Sequence, residues 1–168
     1  MKSSNRSRVA IAALASILTL SFAAAPPALA QYRQHVPNNM ATCESGDGPA
    51  MRVTVNGIRH GSGTLRVQSY RSTSADWLQS GRWLTRTEVP ARSGTMTFCV
   101  PLPAAGTYGI AVRHDRNGNG KTDIRSDGGG MSNNPSINIF NLGKPSYRST
   151  AVSVGEEVKS ITINMRYM

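Results

Sequence analysis

The sequence has few of the residues from which active sites are usually built. It contains only three histidines, His35, His60 and His114, and they lie far apart along the chain. A catalytic site needs a nucleophile or a metal with an acid or base within reach. The scattered histidines therefore favour a protein that is not an enzyme. A small hydrolase whose residues converge only in three dimensions is the less favoured alternative.

Long apolar runs are also scarce, since the single one, residues 9–25, lies near the start of the chain. It follows Lys2, Arg6 and Arg8 and precedes the small residues 28–30, the order found in a cleaved export signal. We expect residues 1–30 to be removed and the protein to be exported, either to the periplasm or to the medium. The alternative is a retained membrane anchor. No later run has membrane-spanning length, which predicts no membrane span after cleavage.

Acidic residues are few, nine against 19 lysines and arginines in a chain of 168 residues. Without the leader the formal charge falls from +10 to +7. The remaining length suits one small domain and excludes a multidomain enzyme. We divide it into an N-terminal arm, residues 31–50, and a β-sandwich domain, residues 51–168.

Cysteine is limited to Cys43 and Cys99. In an exported protein an even pair predicts a disulfide more simply than a metal site or a nucleophile. Closing a loop of that length stabilises a fold by ~4 kcal/mol in the chain-entropy model. Neither cysteine lies near the expected cleavage point, which argues against a lipid anchor.

Alternating apolar residues are plentiful, and they indicate strands rather than helices. They occur at residues 51–55, 65–69, 96–100, 108–112, 151–154 and 159–166. We predict an all-β fold, a single antiparallel β-sandwich of about six to eight strands with one long Gly/Asn-rich loop. Turn residues at 60–63 and 155–157 predict two hairpins. Only residues 74–80 could form a helical turn.

The long loop opens with oxygen-bearing side chains at alternating positions. Compared with an EF-hand calcium loop, Asp115, Asn117, Asn119 and Asp123 occupy positions 1, 3, 5 and 9, with Gly120 at position 6. The backbone carbonyl of Lys121 would serve at position 7. We hypothesise weak Ca²⁺ binding by residues 115–127. The alternative is a metal-free turn, because position 12 is Ser126 rather than glutamate and Asn-Gly pairs favour turns by themselves.

Residues 57–67, 102–115, 117–123 and 132–134 carry a resemblance to a known family. They resemble the exported bacterial domain-of-unknown-function family numbered 2141, across residues 51–167. The resemblance implies a transthyretin-like or carboxypeptidase-regulatory-like sandwich. It implies no activity and no site residues.

A basic, aromatic segment between residues 66 and 92 is the second candidate surface. Its Arg82, Arg86, Trp77 and Trp83 could contact an anionic glycan or envelope surface, with rings stacking and guanidinium groups meeting anions. The alternative is that the tryptophans fold back onto the core. Export makes nucleic acid an unfavoured partner. Function is therefore expected to be binding, and the alternatives are a structural envelope module without a small ligand or, less favoured, the hydrolase.

Overall fold

The computed structural model describes residues 32–46, 48–123, 125–136 and 143–167. The predicted export signal at residues 1–30 lies outside them. The elements are, in chain order, β1 (Gln34–His35), α1 (Ala41–Glu44), β2 (Ala50–Ile58), β3 (Thr64–Arg71), β4 (Thr85–Pro90), β5 (Gly94–Pro101), β6 (Gly106–Asp115), β7 (Gly128–Met131), β8 (Val152–Val154), β9 (Val158–Asn164) and β10 (Arg166–Tyr167).

The strands form two sheets. The large sheet has the order β1-β4-β3-β6-β7-β10, with β8 also paired to β6, and the small sheet has the order β5-β2-β9. Most pairs are antiparallel, but β1 with β4 and β2 with β9 are parallel, so both sheets are mixed. The predicted all-β sandwich is confirmed. The described residues contain ten strands rather than six to eight. Four were not apparent as apolar runs: β1 and β10 are too short, β7 is too glycine-rich, and β4 buries the threonines Thr85 and Thr87 instead of apolar side chains.

Alternating apolar side chains form the core between the sheets, as the sequence predicts. Met51, Val53 and Val55 of β2, with Leu65 and Val67 of β3, are each at most 1% exposed. Burying one such side chain completely contributes roughly 1.5–3 kcal/mol relative to leaving it exposed. The faces of these two strands are therefore fixed by burial.

Both predicted hairpins are wrong. Strand β2 pairs with β5 and β9, whereas β3 pairs with β4 and β6. Likewise, β8 pairs with β6 and β9 with β2. The alternation of apolar residues determines which face of a strand is buried. It does not determine which other strand it pairs with. At the first crossing between sheets Gly63 has a φ of 76°, and a Cβ there would overlap the Asp115 carbonyl oxygen, so only glycine fits.

The N-terminal arm covers part of the outer face of the small sheet. The predicted disulfide joins Cys43 of α1 to Cys99 of β5, with their Cα atoms 5.7 Å apart. Beside it, Asn38 donates to the Thr97 carbonyl at 2.9 Å and accepts from the Cys99 backbone N–H at 3.0 Å. The arm also supplies β1 to the edge of the large sheet. It is therefore attached to both layers of the sandwich.

Residues 72–84 cover part of the outer face of the large sheet, and we call this segment the aromatic cover. Trp77 and Trp83 pack there with Tyr70, and the Trp77 ring lies directly over Gly109 of β6. The indole N–H of Trp77 donates to the Pro145 carbonyl at 2.8 Å. Residues 74–80 form turns rather than a regular helix. No helix in the described ranges is long and apolar enough to cross a membrane.

Candidate functional site

Residues 115–127, which we call the aspartate loop, connect β6 to β7. Strand β6 buries Ile110, Val112 and His114 and turns the alternate residues Arg113 and Asp115 to the outer face of the large sheet. The loop returns to the sheet where Gly128 pairs with His114. The two strands therefore hold both ends of the loop in a fixed position.

Two asparagine–glycine pairs shape the tip of the loop. The Asn117 side-chain oxygen accepts from the Asn119 backbone N–H at 3.1 Å, and the Asn119 oxygen accepts from the Lys121 N–H at 2.7 Å. Gly118 and Gly120 have φ values of 69° and 76°. These are asparagine turns of the kind that glycine completes without strain.

Asp115 lies on the inner side of the loop and is 4% exposed. Its Oδ2 accepts from the Gly120 backbone N–H at 2.8 Å and from an Arg113 Nη at 3.3 Å. Its Oδ1 is buried and has no hydrogen-bond partner. A buried carboxylate oxygen without a partner costs free energy. The Nε atoms of Arg113 and Arg116 are likewise buried without a partner.

Asp123 lies at the exposed tip. Its Oδ2 accepts from the side-chain amides of both Asn117 and Asn119, each at 2.8 Å. These hydrogen bonds, with that of Asn117 the larger contribution, lower the pKa of Asp123 below its ordinary value. The carboxylate is therefore ionised at neutral pH. Lys121 is exposed beside it.

Asp127 is a loop residue that was not among the predicted ligands. It is 7% exposed, and its two oxygens accept from the Asp123 backbone N–H at 2.9 Å and the Arg116 backbone N–H at 3.2 Å. It therefore closes the loop from its C-terminal side. In the sequence, Asp127 directly follows Ser126, the residue aligned with position 12 of an EF-hand loop. This neighbouring carboxylate could have identified Asp127 as a loop residue of interest.

Arg113 is the second residue that sequence reasoning missed. Besides Asp115, its guanidinium donates to the Gly120 carbonyl at 3.1 Å and to the Thr122 hydroxyl at 3.2 Å. Burial lowers the pKa of Arg113, with repulsion from Arg66 contributing further. The guanidinium therefore bridges a carboxylate and a carbonyl of the same loop.

The structure brings Asn117, Asn119 and Asp123 into direct contact and places Asp115 beneath them. The two asparagine oxygens face backbone N–H groups rather than a common centre. No group of three or more histidine, cysteine, aspartate or glutamate side chains arranged for a metal occurs in the part of the chain that the structure describes. Cation binding by this loop would therefore depend on amide and backbone oxygens together with the carboxylates.

His114 is completely buried, and both of its ring nitrogens have partners. Nε2 lies 2.8 Å from the Ser62 carbonyl, and Nδ1 lies 2.7 Å from the Tyr167 hydroxyl. A carbonyl only accepts, so Nε2 donates to Ser62. These contacts connect β6 to the segment 59–63, which crosses between the sheets, and to β10. The described contacts of His114 are therefore structural.

The basic aromatic segment divides into a buried and an exposed part. Trp77 and Trp83 are only 6% and 5% exposed. Arg86 stacks on the Trp83 ring, its guanidinium carbon 4.1 Å from the ring centroid. Arg82 stacks on Tyr32 at 4.8 Å and pairs with Asp76 at 3.2 Å. The tryptophan rings are thus part of the aromatic cover, and contact with a glycan through this segment stays a prediction.

The comparisons with known proteins place the chain in a family. No curated protein and no solved structure matches it. Residues 53–162 match a family described as an uncharacterized protein conserved in bacteria. The match covers β3 to β8 completely, most of β2 and β9, and the whole aspartate loop. The chain therefore belongs to this family, DUF2141.

Proposed function

We propose that the protein is an exported β-sandwich binding module whose aspartate loop binds one calcium ion weakly. The observation that carries this proposal is the buried, unpartnered Oδ1 of Asp115. A cation beside this oxygen would compensate the free-energy cost of burying it. Calcium prefers carboxylate and carbonyl oxygens in flexible geometry, and these are the oxygens that the loop contains.

The other ligands would come from the tip of the loop. Each amide oxygen of Asn117 and Asn119 has a second lone pair beyond the one that accepts from the backbone. Asp123 is ionised and bridges both amides. To serve as ligands, these three side chains would have to turn their oxygens toward Asp115 and give up their present contacts.

Arg113 provides the reason for weak binding. Its guanidinium contacts the Asp115 Oδ2 and the Gly120 carbonyl, so an incoming cation meets a positive charge that already uses two loop oxygens. Calcium must displace that guanidinium or bind beside it. Displacement loses the contacts of Arg113 with Asp115 and Gly120, and binding beside it costs free energy through like-charge repulsion.

Export is supported by the disulfide between Cys43 and Cys99. Such bonds persist in oxidising compartments and are rare in the cytosol. The proposal expects the exported protein to begin at Gln31. N-terminal sequencing of protein recovered from the periplasm or medium tests it, and an intact Met1 in the recovered protein would contradict it.

Thermal unfolding with calcium and with chelator tests the calcium site. A ligand at about ten times its Kd stabilises by ~1.4 kcal/mol, which raises the Tm of a domain of this size by roughly 3–6 °C. We expect such a shift at millimolar calcium, its loss in Asp115→Asn, and its retention in Glu156→Gln, an exposed turn residue. An unchanged Tm in the wild-type protein would contradict calcium binding.

A structural envelope module without a small ligand is the second candidate. It is favoured by the hydrogen bonds through which Arg113, Asp127 and the asparagines hold the loop together. The same unfolding experiment separates the candidates. The finer relationship to transthyretin-like or carboxypeptidase-regulatory-like sandwiches is part of our proposal, supported by the two-sheet arrangement and testable by an experimental structure.

A further inference from the structure

Three arginines stand in one cross-strand row on the outer face of the large sheet. Arg66 of β3 pairs directly with Arg113 of β6, Arg113 pairs with Gly129 of β7, and Gly129 pairs with Arg166 of β10. Adjacent strands lie about 4.8 Å apart, so this arginine row extends over roughly 14 Å. Gly129 has no side chain and leaves the space between Arg113 and Arg166 open.

Three carboxylates, those of Glu88, Asp115 and Asp127, face the row and neutralise much of its charge, whereas Arg86 adds a further positive charge. Arg66 pairs with Glu88 on the neighbouring strand β4, and Arg113 pairs with Asp115. Arg86 lies diagonally next to Arg66, since it pairs with Gln68 in the adjacent row. Repulsion from Arg66 contributes to lowering the pKa of both Arg86 and Arg113. Like charges directly opposite each other destabilise a sheet, and the ion pairs with Glu88 and Asp115 offset part of that cost.

The row lies between two covered parts of the sheet. At one end of β6 the aromatic cover lies over Gly109, and at the other end the aspartate loop folds against Arg113. The side chains of Arg66 and Arg113 are each 19% exposed. Their guanidinium groups are therefore recessed between the two segments, and a narrow, extended ligand reaches them more easily than a flat surface does.

We propose that the arginine row, Arg66, Arg113 and Arg166, binds an acidic polysaccharide lying across the strands. Guanidinium groups can pair with carboxylates through two parallel hydrogen bonds. Because Arg66 and Arg113 already pair with Glu88 and Asp115, a chain with repeated carboxylates would compete with these two and would meet Arg166 at the exposed end of the row. Proteins that bind single-stranded nucleic acid stack bases on exposed rings. Here the rings beside the row, Tyr70, Trp77 and Trp83, are buried, which argues against a stacked nucleic acid and requires that the glycan be held through its carboxylates.

Binding to polygalacturonate in chelator, with dextran as a neutral control, tests this proposal independently of calcium. The double variant Arg66→Gln, Arg166→Gln is compared with Arg92→Gln, Lys159→Gln, which removes the same charge from exposed positions elsewhere. We expect the row variant to bind about tenfold more weakly, with a lower salt dependence, and the control to change less than about twofold. Equal affinity of the two double variants for polygalacturonate would show that the arginine row is not the binding site.

Two further measurements keep the test decisive. Arg166→Gln alone changes only the exposed end of the row, so it should fold as the wild type does and bind about threefold more weakly. Unchanged binding by this variant would count against the row. Double-stranded DNA of equal charge should compete less well than polygalacturonate. Stronger competition by DNA would overturn the polysaccharide as the ligand.

Discussion

The aromatic cover and the aspartate loop lie against the outer face of the same sheet, but different forces hold them. Trp77 and Trp83 stabilise the cover by burying large rings. The loop instead uses hydrogen bonds to Asp115, Asp123 and Asp127. Apolar burial is lost if the rings move, whereas oxygens can exchange one donor or cation for another. The comparison indicates that the cover supports the fold and that the loop is the adaptable region.

Truncating the cover should have the largest effect on stability. Trp77→Ala removes a buried ring that packs on Gly109 and donates to Pro145, and such truncations cost about 3–5 kcal/mol. Chemical denaturation should show this loss, while the exposed neighbour Gln79→Ala should change the free energy of unfolding by less than about 0.5 kcal/mol. A loss below about 1 kcal/mol for Trp77→Ala would show that the cover is not structural.

A polar change in the loop should have a smaller effect. Asp127→Asn turns an amide donor toward one of the two backbone N–H groups that the carboxylate now accepts from. We expect a loss of about 1–3 kcal/mol, measured by urea denaturation in chelator. Glu157→Gln, an exposed turn residue, is the matched control. Equal stability of the two variants would mean that Asp127 does not close the loop.

The smallest expected effect concerns Asp123. Its folded-state pKa is lowered, so its contribution to stability is present above the unfolded-state pKa and is lost as the pH falls through the folded value, in the acid range. Asn117→Ala removes the largest cause and should raise the pKa of Asp123 more than Asn119→Ala does. Carboxyl-carbon NMR titration measures both. The reverse order would contradict the contacts at the loop tip.

Sequence reasoning predicted the parts of the fold that depend on local patterns. Alternation gave the buried faces of β2 and β3, and the cysteine pair gave the disulfide that attaches the arm. The partners of the strands were not predictable in this way. A short connection can either form a hairpin within one sheet or cross to the other sheet, and local patterns do not distinguish the two. Strand β7 lacked a pattern because three of its four residues, Gly128, Gly129 and Gly130, have no side chains.

The candidate site was predicted in composition but not in geometry. Asp115, Asn117, Asn119 and Asp123 lie in one loop, and the last three are in direct contact, but their role as ligands stays a prediction. Spacing could not show that the asparagine oxygens face the backbone, nor that Arg113 reaches into the loop from the preceding strand. Both features depend on side-chain directions that are set by packing after the sheet has formed. Whether the loop binds calcium stays a prediction.

Calorimetric titration of calcium into the wild-type protein and into Arg113→Gln tests the central claim most directly. If the aspartate loop is a cation site in which the guanidinium competes for oxygens, both proteins should bind one ion per chain. Removing the competing charge should then tighten binding about tenfold, equivalent to ~1.4 kcal/mol. The calcium site would be contradicted if the wild-type protein and Arg113→Gln both gave the same heats as Asp115→Asn. It would also be contradicted if Arg113→Gln bound calcium with the same affinity as the wild type.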